Sequence, residues 1–327
     1  MDKIKQFKDP KIAIVGCGAV GLFYGAKLAL SGENVHFLMR SDYEHVKRKG
    51  IKIESIKNKN EYLSNPLVYN STHEIGPCDL VIIAIKATDN NSLENLIPPL
   101  LNKETVILTL QNGLGNEQFL AERFGQNRIM GGLCFVCLNR TSSGVVKHIA
   151  QGAISSGEYS GLPLPRTHDI ALLFKNSGVP FLVAESLIEQ RWKKLVWNIP
   201  FNGISITAGC IDTEKILEDE SLCFLAQELM KEVIDAANSM GITLSDTLID
   251  HNIRETKTMG AYRPSSVIDF VEGKPVEIEA IWGEPLRAAI KAGANMEKLN
   301  DLYHSIKALN NDRTKVLDSE KDLYKLY

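Results

Sequence analysis

The chain has 327 residues, 44% hydrophobic and 24% charged, with a formal net charge of −3. At roughly 150 residues per domain, this length predicts two domains with enough buried surface to need no disulfide or metal staple. The near-neutral balance excludes a general nucleic-acid binder, and the composition excludes disordered, collagen-like and disulfide-rich classes. Met1 to Pro10 alternates charges and lacks the apolar centre of a secretory signal, and no apolar run approaches the roughly 18 residues of a membrane span. No membrane partner is therefore expected. The six cysteines, Cys17, Cys78, Cys134, Cys137, Cys210 and Cys223, read as reduced thiols of a cytoplasmic protein. Cys134 and Cys137 have C-x-x-C spacing without the second pair that a zinc site wants, so they read as packed thiols beside a strand and no metal is expected.

The first half alternates strands and helices. Lys11 to Val15 is a short apolar strand, followed by a helix from Gly18 to Leu30 that stops at Ser31-Gly32, and Asn34 to Met39 is a second strand. Leu80 to Ile85 and Thr105 to Leu110 are near-continuous apolar runs, which suit parallel strands buried on both faces. A helix is expected from Gly113 to Phe124. This alternation predicts an α/β fold with a doubly wound parallel sheet. Further on, Val145 to Ile149 and Ala153 to Gly157 read as two strands joined by a turn at Gln151-Gly152. They are followed by a loop at Gly161 to Pro165, a helix from Asp169 to Asn176 and a strand from Val179 to Val183. After Glu185 the strand signals vanish. Leu222, Leu225, Leu229, Val233, Ala236 and Met240 form the stripe of a long helix, and Ser245 to Met259, Glu277 to Ala292 and Asn300 to Leu309 are further helices. The domain boundary falls near Ala184, and the charged stretch from Asn311 to Tyr327 reads as a loosely held tail.

Gly16-Cys17-Gly18-Ala19-Val20-Gly21 is a G-x-G-x-x-G that follows a strand and opens a helix, the context in which this otherwise weak pattern signals dinucleotide binding. Gly16 allows the tight turn, Gly18 lets backbone approach a diphosphate, and Gly21 permits close helix–strand packing. The diphosphate would sit on unpaired N–H groups at the helix start. An acid at the end of the second strand would bind a ribose 2′-hydroxyl; the residue here is Arg40, whose planar fork suits a 2′-phosphate and points to NADP. Asp42 is nearby but past the strand end, and Lys47-Arg48-Lys49 reads as a solvated helix face. Lys86 and Gln111-Asn112-Gly113 follow presumed parallel strands at their carboxyl ends, where open sheets bind ligands. The plainer alternatives are a surface lysine for Lys86 and a helix N-cap for Asn112.

In the second half, Lys194, Asn198 and Asn202 step by four residues, so on a helix they share one face amid Leu195, Val196, Trp197, Ile199 and Phe201. Burying two amides is costly unless something bonds to them, and a polar small molecule would; the alternative is a solvent-facing polar stripe. Pro200 falls between the two asparagines and should kink this helix. Pro264-Ser265-Ser266 reads as a helix start and Glu277 as the first turn of the next helix, either as caps or as site residues.

Taken together, these segments resemble the ketopantoate reductase family over nearly the whole chain. The likeness rests on the Gly16 to Gly21 loop, Lys86, Gln111-Asn112-Gly113, Trp192-Lys193-Lys194-Leu195 with Asn198 and Asn202, and Ser265-Ser266 through Asp269 to Glu277. The resemblance implies an N-terminal Rossmann-type domain over 1–184, an all-α domain over 185–327, and a site in the cleft between them. It implies reduction of 2-dehydropantoate to (R)-pantoate with NADPH, a step towards pantothenate and coenzyme A. It makes Lys194 the catalytic lysine and proton donor, Asn198, Asn202 and Ser265 substrate contacts, and Glu277 an acid near both nicotinamide and substrate; Asn112, able to donate and accept beside a ribose or nicotinamide, is a further candidate contact for cofactor and substrate. Counting from the first serine selects Ser266 instead of Ser265. A further family asparagine falls by count on Asp212, so that contact is not carried over. The expected partner is a small 2-oxo acid, with a homodimer as a further expectation. Alternative readings are another hydroxyacid dehydrogenase of the 6-phosphogluconate dehydrogenase group, or an NADP-sensing module without catalysis.

Overall fold

A computed structural model describes Phe7 and residues 9–313. Among the described residues ten strands form one sheet: β1 (Lys11–Val15), β2 (Asn34–Leu38), β3 (Ile51–Ser55), β4 (Glu61–Leu63), β5 (Leu67–Tyr69), β6 (Leu80–Ile83), β7 (Val106–Thr109), β8 (Ile129–Ser142), β9 (Val145–Glu158) and β10 (Phe181–Val183). The helices of the first half are α1 (Ala19–Leu30), α2 (Tyr43–Lys49), α3 (Thr72–Ile75), α4 (Leu93–Leu96), α5 (Asn116–Phe124) and α6 (Pro165–Asn176). Those of the second half are α7 (Leu187–Thr207), α8 (Thr213–Glu218), α9 (Glu220–Ser239), α10 (Thr247–Met259), α11 (Ser265–Val271), α12 (Glu284–Lys291) and α13 (Glu297–Asn311), with a π-helical turn at Glu279–Gly283 ahead of α12. Of the charged tail expected over 311–327, Asn311 closes α13 and residues 314–327 lie outside the described residues.

Two compact units divide the chain. One comprises the residues up to Gln111 together with Asn116–Leu187; the other comprises Asn112–Gly115 together with the described residues from Ile188 on. In the first unit, β5, β2, β1, β6, β7 and β8 lie side by side and parallel. The order runs outward from β1 in both directions, so the sheet is doubly wound and its direction of growth switches between β1 and β6. Both faces are covered. Ile12, Ile14, Leu80, Ile82, Val106 and Leu108 pack into one core with residues of α1 and α6. Ala13, Val15, Val81, Ile83 and Ile107 pack into another with Leu93, Ile97 and Leu120. Strands buried on both faces have no polar side to show, which is why they appear in the sequence as unbroken apolar runs.

The sheet extends beyond its parallel part. β8 and β9 are long antiparallel partners, β9 also pairs with β3 and β10 in parallel, and β4 closes the edge against β3. This corrects the expected pair of strands at Val145 to Ile149 and Ala153 to Gly157. Gln151 and Gly152 take φ of 60° and 141° inside one continuous strand, where the register against β8 shifts. They form a bulge and not a turn. The reversal lies at the Gly144 corner, with φ of 71°, and its partner strand β8 was not expected from the sequence.

Among the described residues from Ile188 on, the second unit contains no strand. Its core gathers the buried faces of α7, α9, α11, α12 and α13. α7 runs without interruption through Pro200, whose ring removes one backbone donor. The helix is anchored from outside: Trp197 Nε1 donates to Thr256 Oγ1 at 2.9 Å, and Trp282 Nε1 donates to Ile199 O at 3.0 Å.

Candidate active site

The glycine loop joins β1 to α1 at the switch point of the sheet. Gly16 has φ of 104°, and a Cβ there would run into the backbone of Ala84 and Ile85 just past β6. A Cβ on Gly21 would overlap Gly16 O, so this glycine is required by helix–strand packing. Gly18 differs from both: a Cβ there would meet nothing within 4 Å. Packing therefore does not require that glycine, and the open space in front of it is what a close-lying diphosphate needs. Gly18 also caps α1 without a side-chain hydrogen bond, and no acidic residue lies in the first turn. The helix N-terminus keeps its partial positive charge for an anion. Between the glycines, burial and the Asp42 carboxylate push the Cys17 thiol well above its usual range, with Arg140 opposing. Ala19 and Val20 open the helix behind Cys17.

Past β2, Arg40 is 90% exposed and makes a long ion pair with Asp89 at 3.7 Å. Its guanidinium is accessible to a ligand. Asp42 is in the opposite situation, only 7% exposed. Its Oδ2 accepts from Arg140 Nη2 at 2.5 Å, and its Oδ1 accepts from Ser143 Oγ at 3.2 Å and Ser41 Oγ at 3.3 Å. Asp42, the carboxylate nearest in sequence to the end of β2, is thus already engaged by the protein.

Lys86 is half-buried after β6 and precedes a 3₁₀ turn at Ala87–Ser92. From that turn comes Asn90, which sequence reasoning missed. Asn90 Oδ1 accepts from Gln111 Nε2 at 2.7 Å and its Nδ2 donates to Asn116 Oδ1 at 2.9 Å, while Thr109 Oγ1 donates to Gln111 Oε1 at 2.8 Å. The Gln111 carboxamide therefore ties the end of β7 to Asn90, and Asn90 ties its own 3₁₀ turn to α5. The polar stretch holding Asn90 has no periodicity that would mark it.

Asn112, Gly113, Leu114 and Gly115 belong to the helical unit. Leu114 N donates to Ala280 O at 2.8 Å, and Gly113, at φ of 81°, presses so close to Ala280 that no Cβ fits. This explains why α5 starts at Asn116 and not at the expected Gly113. In the same unit, Lys194 Nζ donates to Asn112 Oδ1 at 2.9 Å. Lys194 is half-buried, whereas neighbouring Lys193 is exposed.

The asparagines one and two turns further along α7 are both buried. Asn202 Nδ2 donates to Asn198 O at 3.0 Å, and Asn202 Oδ1 accepts from Ser266 N at 3.1 Å. The burial cost of Asn202 is therefore met inside the protein, and this amide ties the start of α11 to α7. Ser266 is buried in that arrangement, while Ser265 is exposed. Asp212 has a local role: it caps α8, its Oδ1 accepting from Lys215 N at 3.0 Å. Glu277 is buried immediately ahead of the π-helical turn, and its carbonyl accepts from Ile281 N at 3.0 Å. At the start of that turn Glu279 accepts from Tyr303 Oη at 2.8 Å and pairs with Arg287 at 2.9 Å. Hydrogen bonds from Tyr303 and Arg287 hold the Glu279 carboxyl below its usual range against the opposing effect of burial. Among the described residues no group of three or more His, Cys, Asp or Glu side chains is placed to hold a metal, and no helix is long and apolar enough to cross a membrane.

Comparison with known proteins adds an independent finding. The profile described as "Ketopantoate reductase PanE/ApbA" matches residues 12–161, and "Ketopantoate reductase PanE/ApbA C terminal" matches residues 186–310. The chain is 41% identical over 307 residues to a 2-dehydropantoate 2-reductase of Nostoc sp., covering 92% of this chain and 96% of that protein. It is similar to the crystal structure of 2-dehydropantoate 2-reductase from Geobacter metallireducens, with a TM-score of 0.89, 42% identity, and coverage of 91% of this chain and 99% of that one. The corresponding structure from Methylococcus capsulatus gives a TM-score of 0.86 at 31% identity, covering 93% of this chain and 97% of that one.

Proposed function

Because the chain belongs to the ketopantoate reductase family, an oxidoreductase family, we propose that it reduces 2-dehydropantoate to (R)-pantoate with NADPH. In this reading the sheet unit takes the dinucleotide and the helical unit takes the oxo acid. The observation that carries the reading is the Lys194–Asn112 hydrogen bond, which fixes a half-buried ammonium on the amide-bearing face of α7.

The open space before Gly18 and the uncapped start of α1 suit a diphosphate, and exposed Arg40 suits a 2′-phosphate. Lys86 and the loop from Gln111 to Gly113 follow β6 and β7 at their carboxyl ends, next to the switch point, and complete the nucleotide contacts. When bound, the nicotinamide supplies the hydride that C2 of the oxo acid receives. The protein handles the charge and the proton. Negative charge grows on the C2 oxygen, and the Lys194 ammonium stabilises it and then donates the proton. Asn112 accepts from the ammonium and so limits where Nζ can point. Asn198 and Ser265 hold the substrate hydroxyl and carboxylate; Asn202 and Ser266 contribute through the bond that joins α7 to α11. Glu277 orients the proton donor and contacts both cofactor and substrate. A cytoplasmic homodimer completes the reading, and light scattering of the purified protein tests the assembly.

NADPH oxidation is the test, with 2-dehydropantoate measured beside a panel of branched and aromatic 2-oxo acids. The expected result is the highest kcat/KM for 2-dehydropantoate and activity lost in Lys194→Ala. A better substrate elsewhere in the panel would replace the substrate assignment, and full activity in Lys194→Ala would remove the mechanism.

A further inference from the structure

We propose that Arg140, at the far end of β8, is a specificity-determining residue that makes the nucleotide site select NADPH by withdrawing Asp42 from the ribose. This rests on the NADPH reading above and adds a residue to it. The argument starts from charge. Met39, Arg40, Ser41, Asp42 and Tyr43 form the turn from β2 into α2, and Asp42 is its one carboxylate. A free carboxylate in such a turn accepts from ribose hydroxyls and repels a 2′-phosphate, the requirements of an NAD site. Here neither oxygen is free. Oδ2 takes the Arg140 guanidinium at 2.5 Å, and Oδ1 takes the hydroxyls of Ser143 and Ser41 at 3.2 and 3.3 Å.

The clamp comes from a distant part of the chain and is itself anchored. Arg140 and Ser143 flank the corner of the β8–β9 hairpin, and Lys52 N donates to Gly144 O at 2.8 Å, holding that corner on the start of β3. A Cβ on Gly144 would meet Gly50 O at 2.8 Å, so the close approach needs glycine. The pair also adjoins the diphosphate loop, because both Asp42 and Arg140 act on the Cys17 thiol. Arg140 thus cancels the wrong charge at the place where the adenosine ribose would be read, and leaves Arg40, exposed and in a long 3.7 Å pair with Asp89, as the cation that faces the 2′-phosphate.

The experiment measures dissociation constants for NADPH and NADH by fluorescence titration, without turnover, together with thermal unfolding. Arg140→Met keeps the stem and removes the charge. The expected result is a fall of about 10- to 100-fold in the NADPH-over-NADH ratio, the size of a lost charge-assisted hydrogen bond. Asp42→Asn in the same chain should return most of the ratio, because the carboxylate through which Arg140 acts is gone. Asp42→Asn alone keeps the ratio or raises it, which keeps the proposal testable should Arg140→Met fail to fold; a fall there would overturn it. A folded Arg140→Met protein with an unchanged ratio overturns this inference alone. A native protein that prefers NADH overturns the NADPH reading, and this inference with it.

Discussion

Lys193 and Lys194 are neighbours in the chain that live in different surroundings. Lys193 is exposed, while Lys194 is half-buried with its ammonium on Asn112. Replacing Lys194 by Ala should lower kcat by roughly 10²–10⁴ and leave NADPH binding nearly intact, whereas Lys193→Ala should do little. Steady-state kinetics of the two variants checks this, and damage confined to Lys193→Ala would reverse the assignment. Arg40→Ala should weaken NADPH more than NADH by about 1.5–3 kcal/mol, since a 2′-phosphate loses a charge-assisted contact that NADH never makes. Equal losses on titration would mean that Arg40 reads no phosphate. At this scale the glycine loop and the lysine stripe could be read from spacing alone, because backbone clearance and helical period are local properties. Asn202 could not. Its oxygen meets Ser266 N, 64 positions away, and nothing in the pattern around either residue announces the pairing. Asn202→Ala is therefore expected to lower stability by about 1–3 kcal/mol, by orphaning a buried N–H. Unfolding of that variant, compared with its KM for the oxo acid, separates this role from substrate binding.

The sequence-to-structure relation changes with the kind of element. β1, β6 and β7 are legible because burial on both faces forces an unbroken apolar run. β8 is not, because Gly131 and Gly132 interrupt its pattern, and both serve close packing: a Cβ on Gly131 would strike the Glu117 carboxylate, and one on Gly132 the Leu110 side chain. β9 is hard to read as one strand for a related reason. A left-handed Gln151 followed by Gly152 has the composition of a turn, and only the partner strand shows that it is a bulge. The stretch after Gln111 repeats the lesson: Gly113 looked like a helix start, but its conformation answers to Ala280, far along the chain. Gly113→Ala should cost about 1–3 kcal/mol through strain and contact with Ala280. It should also lower kcat, because the segment carrying Asn112 has to shift. Thermal unfolding and kcat measured on one sample check both halves of that statement.

On the scale of the whole molecule, each unit has a core of its own: two sheet faces in the first, one helical cluster in the second. The apolar runs foretold the former and the helical stripes the latter. A fragment of residues 1–187 is expected to fold and to bind NADPH, yet to reduce nothing, since Lys194, Asn198, Asn202, Ser265 and Glu277 all lie beyond it. Calorimetric titration of the fragment, with an activity assay alongside, decides the point; turnover by the fragment would move the chemistry into the sheet unit. The strap Asn112–Gly115 makes such dissections less simple than the sequence suggests. The chain passes between units three times, at Gln111, at Asn116 and at Leu187, because four residues lodge with a partner encoded well downstream. A chimera that takes its helices from a relative at a single splice after Leu187 would leave the host's own strap facing a foreign Ala280 counterpart. Successful grafts should be those that carry the four-residue insert along with the helices, so that recombination between relatives is limited by a short internal exon-like patch and not by the obvious seam.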